Sequence, residues 1–174
     1  LISGNRCERP ITGKKDDDRW NLYEYKRQLL LGYKPGENRR GRIGLPLCLN
    51  FWELYPFWHT FFTKLGFQVV HSPMSSRKLY LEGQGSIPSD TACFPAKLAH
   101  GHIEFLAKLG VDAIFYPCMT YNIDEGLGQN HYNCPVVAYY PELLHGNMDD
   151  LKRVHFLYPY LNINSKKLLV KSGI

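Results

Sequence analysis

The residues with most chemistry to offer are five cysteines: Cys7, Cys48, Cys93, Cys118 and Cys134. An odd count at wide spacing, behind a start that lacks a secretory leader, argues against a disulfide framework. Free thiols in a reducing cytosol, or thiolate ligands to a metal, are the readings left. There is no CxxC pair, so neither a zinc ribbon nor a ferredoxin-type loop is written in the chain. A free cysteine more often packs as a small apolar group than it holds a metal. A metal reading therefore needs a topological reason, and Cys93 and Cys118, each close to a proline, are where to look for one.

That reason comes from the elements around them. From Arg42 onward the chain alternates strand and helix signals. Arg42–Pro46 reads as a short strand, Phe51–Leu65 as an aromatic-rich helix that Pro56 must kink or delay, and Phe67–His71 as a second strand. Ser75–Leu81 reads as a short helix closed by a break at Gly83 and Gly85. Pro95–Leu109 is the clearest helix: proline suits its first turn, Gly110 its stop, and Leu98, His102, Phe105 and Leu109 its apolar face. Val111–Tyr116 reads as a buried strand and Pro135–Tyr139 as another. A helix around Met148–His155 is allowed by the pattern, and the tail to Ile174 is ambiguous.

A β-α-β-α-β order with short turns at Gly66 and Gly110 predicts an α/β domain over residues 39–174, a Rossmann-like open parallel sheet flanked by helices. Residues 1–38 read as an irregular N-terminal arm with one short helix at Asn21–Leu31 and a turn-rich connector after it.

In such sheets ligands collect outside the carboxyl ends of the strands. Cys118 lies just past one strand, and Cys93 just before the helix that leads into it, so both belong to that edge. Backbone N–H groups at a helix start favour an anion, and thiolates are what iron–sulfur clusters bind. Cys48 follows the first strand to the same edge. Cys134, preceding its expected strand, falls nominally at the opposite edge unless the loop Met119–Asn133 folds it back.

Other candidates are thinner. His100 and His102 are two apart on one helix, face different ways and make poor joint ligands. His102, on the apolar face, reads as a core histidine. His131 in Asn130-His131-Tyr132-Asn133-Cys134-Pro135 is the better site candidate. Gly126-Leu127-Gly128 lacks the setting of a dinucleotide fingerprint, and there is no phosphate-cradling GxxxxGK[ST] loop. No GxSxG elbow or paired-carboxylate arrangement stands out.

The formal charge of +5 is modest. Arg39, Arg40 and Arg42 cluster, but Asp16, Asp17 and Asp18 offset Lys14 and Lys15, which argues against a nucleic-acid partner. No apolar run approaches the roughly 18 residues that span a bilayer, so no membrane partner is expected and a cytoplasmic location is. The missing initiator methionine suggests a piece of a longer polypeptide.

Several stretches together are more specific than any spacing. They include Ile2-Ser3-Gly4-Asn5-Arg6-Cys7-Glu8-Arg9, Tyr55-Pro56-Phe57-Trp58, Ser76-Arg77-Lys78-Leu79-Tyr80, Ile87-Pro88-Ser89-Asp90-Thr91-Ala92-Cys93-Phe94-Pro95, Phe115-Tyr116-Pro117-Cys118-Met119 and Asn130-His131-Tyr132-Asn133-Cys134-Pro135-Val136-Val137. In order over roughly residues 1–145, the chain resembles the domain that follows the ATPase modules in large CoA-substrate-specific enzyme activases, the activators of 2-hydroxyacyl-CoA dehydratases.

That resemblance implies a dehydratase-like, Rossmann-like domain that holds an iron–sulfur cluster, of 4Fe–4S type, through a few cysteines. The segments around Cys93 and Cys118 resemble ligand-bearing segments of dehydratase subunits, and Cys134 and Cys7 fall in the family's own motifs. The implied ligands are Cys93, Cys118 and Cys134. Cys48 stands where an aliphatic residue is expected, and Pro10 where a glycine is. The resemblance further implies ATP-dependent, low-potential electron transfer, with the ATPase modules of a longer chain or a partner activase and a dehydratase-type enzyme as partners; a dimer is allowed. By this reading the fragment has no nucleotide site and no complete active site. The competing expectation is a docking or assembly domain, with buried structural cysteines and an interface built from Tyr139, Tyr140, Phe156, Tyr158 and Tyr160.

Overall fold

The structure is a computed structural model that describes residues 20–171. The chain divides into two compact units, Leu1–Tyr33 and Lys34–Ile174. Within the first, helix α1 (Leu22–Leu31) starts at Asn21, whose side-chain oxygen accepts from the Glu24 N–H and so satisfies one of the free donors of the first turn. The expectations that fall on residues 1–19, Cys7 and Pro10 among them, lie outside the described residues.

The second unit is built on four parallel strands, β1 (Arg42–Leu45), β2 (Gln68–His71), β3 (Ala113–Phe115) and β4 (His155–Leu157), in the spatial order β2-β1-β3-β4. It is an α/β fold, as the alternation of elements predicts. Helix α2 (Phe51–Lys64) links β1 to β2, and α3 (Arg77–Gly83) with α4 (Phe94–Lys108) links β2 to β3. Helix α5 (Pro135–Asn147) and a 3₁₀ turn at Asp149–Arg153 precede β4, and α6 (Lys166–Lys171) follows it.

Phe51, Tyr55, Trp58 and Phe62 recur at helical spacing along α2 and are buried. Their rings meet β3: the Phe115 ring centroid lies 4.7 Å from Trp58 and 4.9 Å from Phe62 in edge-on geometry. Pro56 sits inside α2 and does not delay its start at Phe51. It removes one intrahelical donor, and burial of the four aromatic side chains offsets that loss.

Three sequence expectations change. Residues 135–139 form the start of α5 and not a strand. Val136 and Val137 carry a strand-like pattern, yet Pro135 takes the first helical turn after an extended Cys134, and Ala138, Pro141 and Leu144 supply a buried stripe three residues apart. The fourth strand is His155–Leu157, where a helix around Met148–His155 was allowed; the helical part there is only the 3₁₀ turn. On α4 the buried face is Ala96, Ala99, Ile103 and Leu106 with His100 and His102, while Leu109 is exposed. Small side chains mark this face because α3 and α4 press backbone to backbone at Gly83 and Gly101. Gly83 therefore ends α3 from within, rather than breaking the chain after it.

Candidate functional site

All four described cysteines reach the carboxyl edge of the sheet, by two routes. Cys48 and Cys118 each lie three residues past the last residue of a strand, β1 and β3. Cys93 and Cys134 are the residues immediately before α4 and α5, each extended (φ −62°, ψ 152° and φ −63°, ψ 157°), and each helix has proline in its first turn. The replacement of the expected strand by α5 is what brings Cys134 to this edge. The two helix-start thiols are exposed and the two strand-end thiols are buried.

Strand order reverses between β1 and β3, the place where open α/β sheets form their ligand crevice. Here the loops past the two strands fill it with side chains. Cys48 Sγ lies 3.8 Å from the Tyr116 hydroxyl, and the Asn50 amide nitrogen 3.4 Å from Met119 Sδ. Leu49, with φ 50°, is the one non-glycine residue with positive φ among the described residues, so the tight turn after β1 is a point of backbone strain. Burial pushes the Cys48 thiol up to about 12 and the Tyr116 hydroxyl well above its ordinary value. Neither ionises near neutrality.

Cys118 is clamped by the run beyond β4. Its N–H donates to Pro159 O at 2.9 Å and its carbonyl accepts from Leu161 N–H at 3.0 Å. Burial raises its thiol, opposed by the Glu142 backbone and the Tyr160 hydroxyl. That hydroxyl donates a short hydrogen bond to the Glu142 carboxylate, which pushes Tyr160 up to about 12.

The two histidines of α4 sit in separate, opposed networks. Ser86 donates to Gly83 O, so it accepts from His100 Nδ1–H, and His100 Nε2 accepts from the Tyr140 hydroxyl at 2.9 Å. Ser72 accepts from Leu47 N–H and donates to His102 Nδ1, leaving His102 Nε2–H to donate to Ser75 at 2.9 Å. His102 is thus a satisfied core histidine, as expected, and His100 is a second. Sequence reasoning missed their partners, which lie 14 to 40 residues away along the chain and carry no local signal.

Burial lowers both rings to about 4 from 6.5. Both stay neutral in the fold and bind protons more readily in the unfolded chain. Their contribution to stability is full above pH 6.5, falls as pH drops from 6.5 toward 4, and levels off below. The slope is at most about 1.4 kcal/mol per pH unit for each ring. Urea midpoints measured at pH 7 and pH 5 are expected to fall at the lower pH, and equal midpoints would contradict the neutral assignment.

His131 Nε2 lies 3.2 Å from both Asp124 Oδ1 and Gly128 O, in an open polar cavity of about 390 Å³ formed by its own loop. Elsewhere an aromatic groove of about 770 Å³ runs between the end of α2 and β4, lined by Phe61, Phe62, Phe67, Phe115, Phe156 and Tyr158. Of the aromatics expected at an interface, Tyr140 is buried in the His100 network, whereas Tyr139 and Tyr160 are exposed.

Among the described residues no three His, Cys, Asp or Glu side chains converge to hold a metal ion. Thiols are donors of the kind an iron–sulfur cluster takes, and Cys93 and Cys134 each offer one exposed at this edge, but the described residues do not complete a ligand set. No described helix is long and apolar enough to cross a membrane.

A family model described as the CoA enzyme activase uncharacterised domain matches residues 42–174. No curated protein and no solved structure matches the chain.

Proposed function

The chain belongs to the CoA enzyme activase uncharacterised-domain family, and from that premise we propose that it is the thiolate-bearing domain of an ATP-dependent, low-potential electron-transfer system related to 2-hydroxyacyl-CoA dehydratase activation. The observation that carries this reading is the matched pair of exposed thiols, Cys93 and Cys134, each opening a proline-started helix at the sheet's carboxyl edge. Helix-start N–H groups suit anionic sulfur, and two thiolates are half of a Cys₄ set. When bound, a 4Fe–4S cluster supplies one-electron chemistry. The protein's own part is to present Cys93 and Cys134, with the remaining ligands from residues outside the described segment, from ATPase modules of a longer chain or from a partner activase. Cys118 is the third candidate, and joining the set requires the Tyr160–Glu142 contact beside it to open. The reading places the protein in the cytoplasm, where reduced thiols persist.

Anaerobic reconstitution of the full chain with iron and sulfide tests this. Wild type is expected to gain broad visible absorption, and Cys93→Ser and Cys134→Ser each to lose most of it. Undiminished absorption in both variants would sink the reading.

The aromatic groove favours a second reading, a docking domain for other activase modules or a dehydratase-type enzyme. On that reading Phe156→Asp abolishes complex formation, and Cys93→Ser with Cys134→Ser leaves redox activity of the complex intact.

A further inference from the structure

Beyond β3 and β4, on the same edge as the thiols, a separate cavity of about 280 Å³ opens between the loops that follow the two strands and α6. Its walls are Cys118, Thr120, Tyr160, Leu161, Asn162, Leu168 and Lys171. The polar groups not already engaged are mostly donors. Asn162 lines the cavity, and its Oδ1 already accepts from Asn164 N–H at 3.0 Å, so the hydrogen-bonding capacity left on its side-chain amide is mainly the N–H₂ donor. Lys171 is exposed and has no ion-pair partner among the described residues. Thr120 adds a hydroxyl. The nearby carboxylate, Glu142, is occupied by the Tyr160 hydroxyl and is not part of the wall.

We propose that this cavity binds a small organic carboxylate, held by Lys171, Thr120 and Asn162, with its short apolar chain against Leu161 and Leu168. One cation with neutral donors matches a monoanion. A nucleotide or pyrophosphate would bring two or more charges to a single lysine, and the volume is at the small end for ligand pockets. Leu161 and Leu168 give the site a use for alkyl carbon that a bare inorganic anion does not have. The place agrees with the general preference of parallel sheets for ligands at their carboxyl edge. The proposal uses none of Cys93, Cys118 and Cys134 to hold the guest, so its test is separate from that of the cluster reading.

Sodium butyrate titrated into the full chain, followed by amide chemical shifts in ¹H–¹⁵N spectra, tests it. Saturable shifts at Thr120, Asn162 and Leu168 are expected, with acetate binding more weakly than butyrate and n-butylamine not binding. Lys171→Gln is expected to weaken butyrate at least tenfold, while Lys152→Gln, at a lysine paired with Asp149 elsewhere, leaves it unchanged. Thermal midpoints of both variants show that the fold is intact. Scattered or unsaturable shifts, equal binding by Lys171→Gln, or equal competition by inorganic phosphate would each overturn the assignment.

Discussion

Gly101→Ala is expected to destabilise the domain by about 3 kcal/mol or more, or to leave it unfolded. A Cβ built at Gly101 falls 2.1 Å from the Leu79 carbonyl oxygen, and one at Gly83 falls 2.2 Å from the Gly101 nitrogen. Both obstacles are backbone, so relief requires α3 and α4 to separate, and their separation disturbs what lies between and beside them. Leu79 leaves the core, and His100 and His102, one residue on either side of Gly101, lose the serines that hold them. Buried imidazoles without partners add a desolvation cost to the steric one. Gly83→Ala should behave in the same way. Gly146→Ala, on α5 with open space around its Cβ position, should be neutral or stabilise by up to about 1 kcal/mol. Thermal unfolding by circular dichroism separates these outcomes. A Gly101→Ala midpoint within a degree or two of wild type would show that the two helices are not in backbone contact.

The second large effect is a split in thiol reactivity. In metal-free protein at pH 7.5, iodoacetamide is expected to modify Cys93 and Cys134 at least about a hundredfold faster than Cys48, read by peptide mass spectrometry. Cys93 and Cys134 are exposed, and Cys48 is buried with its thiol held at about 12 against an ordinary 9.0. A thiol raised this far stays protonated at pH 7.5, and the reagent must also wait for the loops past β1 and β3 to open. Cys118, buried and raised, should follow Cys48. Tyr160→Phe, which removes a hydroxyl that opposes the rise of the Cys118 thiol, should slow Cys118 further and leave the other cysteines unchanged. Unfolded protein labels all five cysteines at similar rates, which fixes the scale. Labelling of Cys48 as fast as Cys93 in the folded protein would mean that Cys48 is not buried.

The sequence carried the frame of this fold because its central elements are periodic. α2 repeats large aromatics at helical spacing, and β1 and β3 are short apolar runs between turn signals. It misled where packing overrides size and branching. On α4 the reading favoured the large Leu98, Phe105 and Leu109, yet close helix contact buries Ala96, Ala99 and Gly101 instead. Val136 and Val137 suggested a strand, but Pro135, suited to a first helical turn after the extended Cys134, decides for helix. β4 is three residues long and half exposed, too little to register as a pattern. The candidate site was legible to the same degree. Cys93 and Cys118 went to the correct edge because the strands beside them were correct. Cys134 did not, because its position depended on α5. That Cys118 and Cys48 are buried while Cys93 and Cys134 are open depends on contacts such as Tyr160–Glu142 and Cys48–Tyr116, made between residues 18 and 68 positions apart.

The most direct test of the central proposal is the iron and acid-labile sulfide content of the full chain, purified under strict exclusion of oxygen, beside the Cys93→Ser/Cys134→Ser double variant. The proposal predicts iron and sulfide in comparable amounts in the wild-type protein and the loss of both in the double variant at unchanged thermal stability. Wild-type protein without iron or sulfide even when assembled with the ATPase modules or partner activase, or a double variant that keeps both, would contradict it.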